Sequence, residues 1–274
     1  MKRRDFVKNA SAASLFFPFV NLAADPRQTT KPVLRFAVAS DGHYGQPDTP
    51  YAKDFENLNR WLQTEKRKKG LDAVFVNGDL FHDDPVFLPQ VKAAFGLMPA
   101  PCYVTRGNHD RVTEAEWQRT WGYPTNHDLT LGDYAFLLAD TSNEKGEYLC
   151  ANADWLRQSL KKHTDRKGVF VFMHIPPSKR WTDAGVDCPP ITEMLEKTPN
   201  VTAIFHGHDH DNDFRKMSGG KPYFFDGHFG GNWGTAYKGY RIVEVFANGT
   251  WQSYQRNPTA SPTVNLHQGK STQY

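Results

Sequence analysis

Cysteine is scarce in this 274-residue chain, with three in all: Cys102, Cys150 and Cys188. They are too few and too scattered for a disulfide framework or a thiolate metal site. One pair is free to oxidise outside the cytoplasm, but Cys102 lies in an apolar stretch that reads as a buried strand, where a small core residue is the simpler role. No essential cysteine is expected. The mostly apolar run from Ala10 to Ala24 is too short to span a membrane, so no transmembrane segment is expected. No internal repeat is visible. The length suits one α/β domain with a substantial core and is short for two.

An excess of one charge is also missing once the N-terminus is set aside. Met1-Lys-Arg-Arg-Asp-Phe-Val-Lys8 is a basic stretch followed by the run to Ala24, which ends in small residues as a cleavable signal would. Arg3 and Arg4, with Phe6 and Lys8, resemble the twin-arginine export signal of bacteria, though Lys2 and Val7 depart from its usual residues. The alternative is an amphipathic N-terminal helix of a cytoplasmic protein. A signal over residues 1–24 implies export machinery as a partner and a periplasmic location. Its removal would take four basic residues and one acidic residue, leaving 29 of each sign. A neutral mature chain makes nucleic acid or an anionic membrane an unlikely partner.

Residues 25–32 read as a linker, 33–257 as the domain and 258–274 as a polar, poorly ordered tail. Val33 to Ser40 form an apolar strand that ends at Asp41-Gly-His43. Phe55, Leu58, Trp61 and Leu62 repeat at helical spacing over Tyr51 to Lys69, and Gly70 stops that helix. Strands over Asp72 to Asn77 and Pro101 to Arg106 end at Gly78-Asp79 and Gly107-Asn108-His109-Asp110. Further on, Gly168 to Met173 delivers His174, and Val201 to Phe205 delivers His206-Gly-His208-Asp-His210. Short helices are expected at Val86 to Leu97, Glu114 to Trp121, Asp154 to His163 and Ile191 to Lys197, and hairpin strands around Tyr223 to Phe225, Tyr240 to Phe246 and Trp251 to Tyr254. Ligands of α/β sheets bind at the carboxyl ends of strands, so the polar motifs converge on one edge.

A lone Gly-Asp or a single histidine carries little information. Five ordered motifs, each following an apolar strand, carry much more. The series Asp-x-His, Gly-Asp, Gly-Asn-His-Asp, His, Gly-His-x-His resembles the calcineurin-like metallophosphoesterase superfamily, over residues 33 to about 210. That resemblance implies a four-layer α/β/β/α sandwich of two mixed sheets flanked by helices. It also implies two divalent metal ions, with Mn, Fe, Zn and Co all suited to the donors. Asp41, His43 and His210 would hold the first ion, Asp79 would bridge, and Asn108, His174 and His208 would complete the second. Such a pair, roughly 3.5 to 4 Å apart, clamps the attacking and leaving oxygens of a displacement at phosphorus. The expected reaction is hydrolysis of a phosphomonoester or small phosphodiester by a metal-bridging hydroxide. His109 would stabilise charge and protonate the leaving oxygen, with Asp110 either orienting it or serving the structure.

Weaker signals stay open. Gly78 to His82 resembles a segment of double-strand-break repair nucleases in which that histidine assists catalysis; a polar loop residue is the other reading of His82. A nuclease is therefore one alternative, opposed by the neutral charge and the lack of residues for a DNA-binding cap. A non-catalytic, metal-stabilised binding module is another. His206 is expected to face the site as a supporting residue, and His228 either lines the pocket or belongs to a plain turn. Trp121, Trp181 and Tyr44 are read first as packing residues. Oligomeric state leaves no trace in the sequence.

Overall fold

The computed structural model describes residues 31–258 and 264–271; the expected signal and most of the linker lie outside them. Two six-stranded sheets face each other. The first runs β12-β11-β10-β1-β2-β3, built from β1 (Leu34–Ala39), β2 (Ala73–Asn77), β3 (Cys102–Thr105), β10 (Tyr240–Val245), β11 (Thr250–Arg256) and β12 (Val264–Lys270). The second runs β4-β5-β6-β7-β9-β8, from β4 (His127–Leu131), β5 (Tyr134–Ala139), β6 (Gly168–Met173), β7 (Val201–His206), β8 (Arg215–Ser218) and β9 (Lys221–Phe225). Both are mixed: β1, β2 and β3 are parallel while β10, β11 and β12 run antiparallel, and β5, β6, β7 and β9 are parallel between antiparallel edges.

Alternation along the strands makes the layers. In β1, Phe36 and Val38 enter the core between the sheets, while Ala37 and Ala39 face α1 (Tyr51–Lys69), α2 (Leu88–Phe95) and α3 (Glu114–Trp121). Phe36 meets Phe75, Phe136, Phe170, Phe172 and Phe205 edge-on, at centroid distances from 5.1 to 6.5 Å. In the second sheet, Phe136 and Phe172 face that same core, whereas Leu137 and Val171 pack against Leu156, Leu160, Ile191 and Leu195 of α4 (Ala153–Lys162) and α5 (Pro189–Lys197). The expected four layers are therefore present. α1 buries Phe55, Leu58 and Leu62 and collects Lys66 to Lys69 in its last turn, where cations complement the helix dipole. α3 starts on the Thr113 hydroxyl, which accepts from the Glu116 N–H, and stops at Gly122 with φ 87°.

One expectation changes. The polar tail after residue 257 contains β12, which pairs antiparallel with β11 from Thr250↔Lys270 onward, so the sheet extends past the expected boundary. β10 and β11 form the expected hairpin, and β9 pairs instead with β7 and β8 in the other sheet. Cys150 and Cys188 form a disulfide, tying the segment after β5 to the start of α5, and Cys102 is unpaired.

Candidate metal centre

The carboxyl ends of five strands, three from one sheet and two from the other, meet at one edge. Main-chain hydrogen bonds brace the loops there: Asp41 N–H donates to Gly78 C=O at 3.1 Å, Gly42 and His43 donate to Asp79 C=O at 2.9 and 3.0 Å, and Gly207 donates to His174 C=O at 3.2 Å. Asn77, the last residue of β2, bridges the sheets. Its Nδ2 donates to Phe205 C=O at 2.9 Å, its Oδ1 accepts from Thr105 at 2.7 Å and its own C=O accepts from His174 Nδ1 at 2.8 Å. Sequence inspection passes over Asn77 because it completes an apolar strand. Among the described residues six non-glycines have positive φ; Asp41, His43, Asp79 and His208 are candidate ligands, and Asp83 lies beside His109. Such backbone costs energy and clusters where tight turns must aim side chains.

Donor atoms gather in three groups, the atoms of each lying within 4.8 Å of one another: Asp41 with His43 and His210, Asp79 with His174 and His208, and an all-imidazole group of His43, His82 and His109 that shares His43 with the first and has no carboxylate. His210 Nε2 lies 3.0 Å from Asp41 Oδ1 and 3.0 Å from His43 Nε2. His43 Nε2 is 3.7 Å from Asp79 Oδ2, and His174 Nε2 is 3.2 Å from that same oxygen, which places Asp79 between the first two groups. Asn108 joins the second group, its Oδ1 3.3 Å from His174 Nε2. The far nitrogens fix the rings: His174 Nδ1–H donates to Asn77 C=O and His210 Nδ1–H to Trp233 C=O at 3.2 Å, which turns each Nε2 to the centre. His43 Nδ1 meets His82 Nδ1 at 3.1 Å, and His208 Nε2 is buried with no hydrogen-bond partner.

Electrostatics fit a cation. Burial lowers His43 to about 3 and, with His174, lowers His208 to about 4, so both imidazoles are neutral at pH 7, the form in which a histidine binds metal. Burial opposes charge on His174 too, but the Asp79 carboxylate overrides it and raises that imidazole to about 10; Asp41 raises His210 in the same way. Asp79 and Asp41 are correspondingly lowered against their burial, Asp79 strongly. Protons thus supply the positive charge that two buried carboxylates demand. Mixed carboxylate, amide and imidazole donors around one shared carboxylate suit a pair of divalent ions, so the residues fit the expected cofactor.

His109 stands beside this centre. Its Nδ1 lies 2.9 Å from Asp83 Oδ1, and Arg111 Nε lies 3.0 Å from the same oxygen. Asp83 also donates its N–H to His109 C=O at 3.1 Å. Asp110 does not orient His109. Its buried carboxyl accepts from the N–H groups of Leu80, Phe81 and Gly107 at 2.8, 3.1 and 2.8 Å, joining two of the loops. His82 stacks on His109 at 4.7 Å and 14°, and burial, then His109, lowers its pKa.

His206 does not support the site. Phe205 faces the core between the sheets and Ile204 the helix layer; His206 shares Ile204's side, stacked on Tyr223 at 6° with Nδ1 on Met173 C=O. His228 bonds within its own loop, its Nδ1–H donating to Gly230 C=O at 2.6 Å and its Nε2 lying 3.2 Å from Thr235 C=O, and its ring stacks on His210 at 5.2 Å. Trp121 and Tyr44 pack in or against the helix-side core of the first sheet, and Trp181 against that of the second. Two aromatic residues that sequence reasoning missed do border the centre. Trp233 stacks on His210 at 4.3 Å and 7°, and Tyr148 meets His208 edge-on at 4.6 Å. The only sequence signal for Trp233 is its glycine-rich setting, Gly230-Gly-Asn-Trp-Gly234. A Cβ on Gly230 would lie 1.9 Å from Gly42 C=O, so glycine lets this loop press against the centre.

Comparison with known proteins agrees with this fold. A dimetal phosphatase from Danio rerio superposes with a TM-score of 0.71 at 13% identity, covering 88% of this chain and all of that one. A 3',5'-cyclic-nucleotide phosphodiesterase of Nostoc sp. is 22% identical over 223 residues, 72% of this chain and 81% of its own length. The uncharacterized protein YvnB of Bacillus subtilis is 23% identical over 214 residues, 69% of this chain, which spans 16% of that longer protein. Residues 34–212 match the Calcineurin-like phosphoesterase signature. Since that match takes in all ten of the site residues expected from the motifs, the chain belongs to the calcineurin-like phosphoesterase family of phosphoester hydrolases.

Proposed function

We propose that the protein is a dinuclear-metal phosphoesterase acting on a phosphomonoester or a small phosphodiester. One observation carries the reading: two donor groups meet at Asp79, and His109 stands beside them with one nitrogen held by Asp83. Asp41, His43 and His210 would hold one ion, and Asn108, His174 and His208 the other, with Asp79 shared. Bound ions would supply the nucleophile, by lowering the pKa of a water, and a positive field for the phosphoryl group. The chain's own residues do the rest. Asp83 accepts only, so His109 carries a proton on Nδ1 and presents Nε2 to the ester, where a protonated imidazole neutralises charge and gives its proton to the leaving oxygen. Asn108 contributes a neutral oxygen and leaves the field uncancelled.

His82 serves this centre through His43. With His43 Nε2 directed at the metal group, its Nδ1–H donates to His82 Nδ1 and fixes the ring, as outer partners of ligating histidines do. The name of the Nostoc relative, a 3',5'-cyclic-nucleotide phosphodiesterase, supports a small diester. Export through the N-terminal signal to the periplasm is part of the same proposal, and the Cys150–Cys188 disulfide supports an oxidising compartment.

Hydrolysis of p-nitrophenyl phosphate and bis-p-nitrophenyl phosphate by chelated and then metal-reloaded protein tests the reading. Turnover is expected to require metal and to fall in His109→Ala, with two ions per chain retained, by roughly 10-fold on these esters of a good leaving group and by up to about 10²- to 10⁴-fold on alkyl esters, which need the proton. Full activity in His109→Ala, or turnover indifferent to chelation, would overturn it.

A further inference from the structure

Among the described residues, the large aromatic side chains left well exposed are Tyr148 and Trp233, at 47% and 40%, and both lie against candidate metal ligands. Trp233 has the more specific setting. His228, His210 and Trp233 form a column of nearly parallel rings, 5.2 Å and 15° apart and then 4.3 Å and 7° apart. Trp233 is the exposed end of that column, while His228 is buried. Its position is held tightly for a loop residue: Trp233 C=O accepts from His210, Gln46 Nε2 donates to Asn232 Oδ1 at 3.1 Å, and Gly230 N–H donates to Asp41 C=O at 3.0 Å. An indole kept rigid and open to water forgoes its hydrophobic burial.

The indole also lines a cavity of about 340 Å³, within the range of small-molecule sites. Much of the remaining lining is polar, with Asp48, Thr49, Asn232 and Thr235 among it. A flat ring laid on Trp233 would extend the column, and the polar lining would meet hydrogen-bonding groups on that ring's edge. A plain aryl group offers no such groups, and an alkyl group offers neither face nor edge.

Resting on the phosphoesterase reading, we infer that the ester's organic group is a nucleoside, its base stacked on Trp233 and its edge read by the polar lining of this cavity. Trp233 is then a specificity residue that binds substrate without taking part in proton transfer. Base stacking on an aromatic side chain is sequence-tolerant and readily supplies a tenfold effect.

Three diesters sharing one p-nitrophenolate leaving group test this on the metal-loaded protein: the thymidine 5'-, phenyl and methyl p-nitrophenyl phosphates. The thymidine ester is expected to show a KM about tenfold below the methyl ester. Trp233→Ala should erase that advantage and Trp233→Phe should keep most of it, both with two ions per chain. A phenyl ester as good as the thymidine ester would overturn the nucleoside assignment in favour of any aryl group. Equal losses on all three esters, or lost metal in Trp233→Ala, would reduce the indole to a prop for His210. Saturation-transfer NMR with free thymidine separates this inference from the reading it rests on. If no ester is turned over, transfer to the thymine ring that disappears in Trp233→Ala upholds base binding while the phosphoesterase reading fails; no transfer overturns base binding as well.

Discussion

At the scale of single residues, the candidate ligands were legible because their motifs follow apolar strands, and their partners were not. Asp41, Asp79, Asn108 and His174 stand at strand ends, where polarity after an apolar run is conspicuous. Asn77 carries no such contrast, yet it joins β2 to the ends of β6 and β7. Replacing it with Val would strand the Phe205 carbonyl and the Thr105 hydroxyl in the interior. The expected cost is about 2–4 kcal/mol in urea unfolding of the chelated protein, the cost of two buried groups without partners; a loss under 0.5 would mean that water or a shifted side chain replaces the amide. Asp83 was hidden for a different reason, since neighbouring Asp84 and the later Asp110 are equally acidic in sequence. Only the turn at φ 64° directs Asp83 to His109. Asp83→Asn should retain both metals and lower kcat by roughly 10- to 100-fold, less for esters of good leaving groups such as p-nitrophenolate, which need little protonation. An equal loss across leaving groups would argue that Asp83 shapes the loop without tuning the acid.

At the scale of elements, central strands and helices were readable and edges were not. β6 is GVFVFM and buried throughout, so its sequence announces it. β4 and β8, edge strands of half-exposed or exposed residues, and β12, which lies beyond a polar stretch, carry at most two apolar residues each, too short an alternation to stand out. Edge strands need few apolar side chains because only one neighbour pairs with them. The segment from Thr141 to Cys150 is likewise silent in sequence. It brings Tyr148 to His208 and Gly146 close to Asn108 C=O, with Leu149 N–H donating to Thr141 C=O at 2.9 Å. Its anchor is the disulfide, which closes a separation of 38 residues. Chain-entropy arguments put such a bridge at up to about 4 kcal/mol. The Cys150→Ser, Cys188→Ser double variant should therefore lose about 2–4 kcal/mol of stability, and after dialysis it should retain less of the ion held by Asn108, His174 and His208. Unchanged stability together with two ions per chain would show that the segment holds its place without the bridge.

For the whole molecule, the candidate metal centre spans the two sheets: the loops after β1, β2 and β3 carry Asp41, His43, Asp79 and Asn108, and those after β6 and β7 carry His174, His208 and His210. Ions that bind only the folded chain stabilise all of it. The pH dependence of that stabilisation follows from the imidazoles. Without metal, His174 is raised to about 10 and His210 is also raised, above an unfolded value near 6.5. Their contribution to stability is complete below pH 6.5 and is lost as pH climbs toward the folded values, so the chelated protein weakens on the alkaline side. Asp41 and Asp79, lowered in the fold, contribute above their unfolded range near 4 and change little in this window. Metal-bound imidazoles have given up those protons and escape the alkaline loss. The Tm gap between metal-loaded and chelated protein should therefore widen from pH 6.5 to 8.5, and calorimetric titrations at pH 7 in buffers of different ionisation enthalpy should show protons released on metal uptake. A gap flat across that range, with no proton release, would remove His174 and His210 from the ligand set and leave the centre to the two carboxylates, Asn108 and the already neutral His43 and His208.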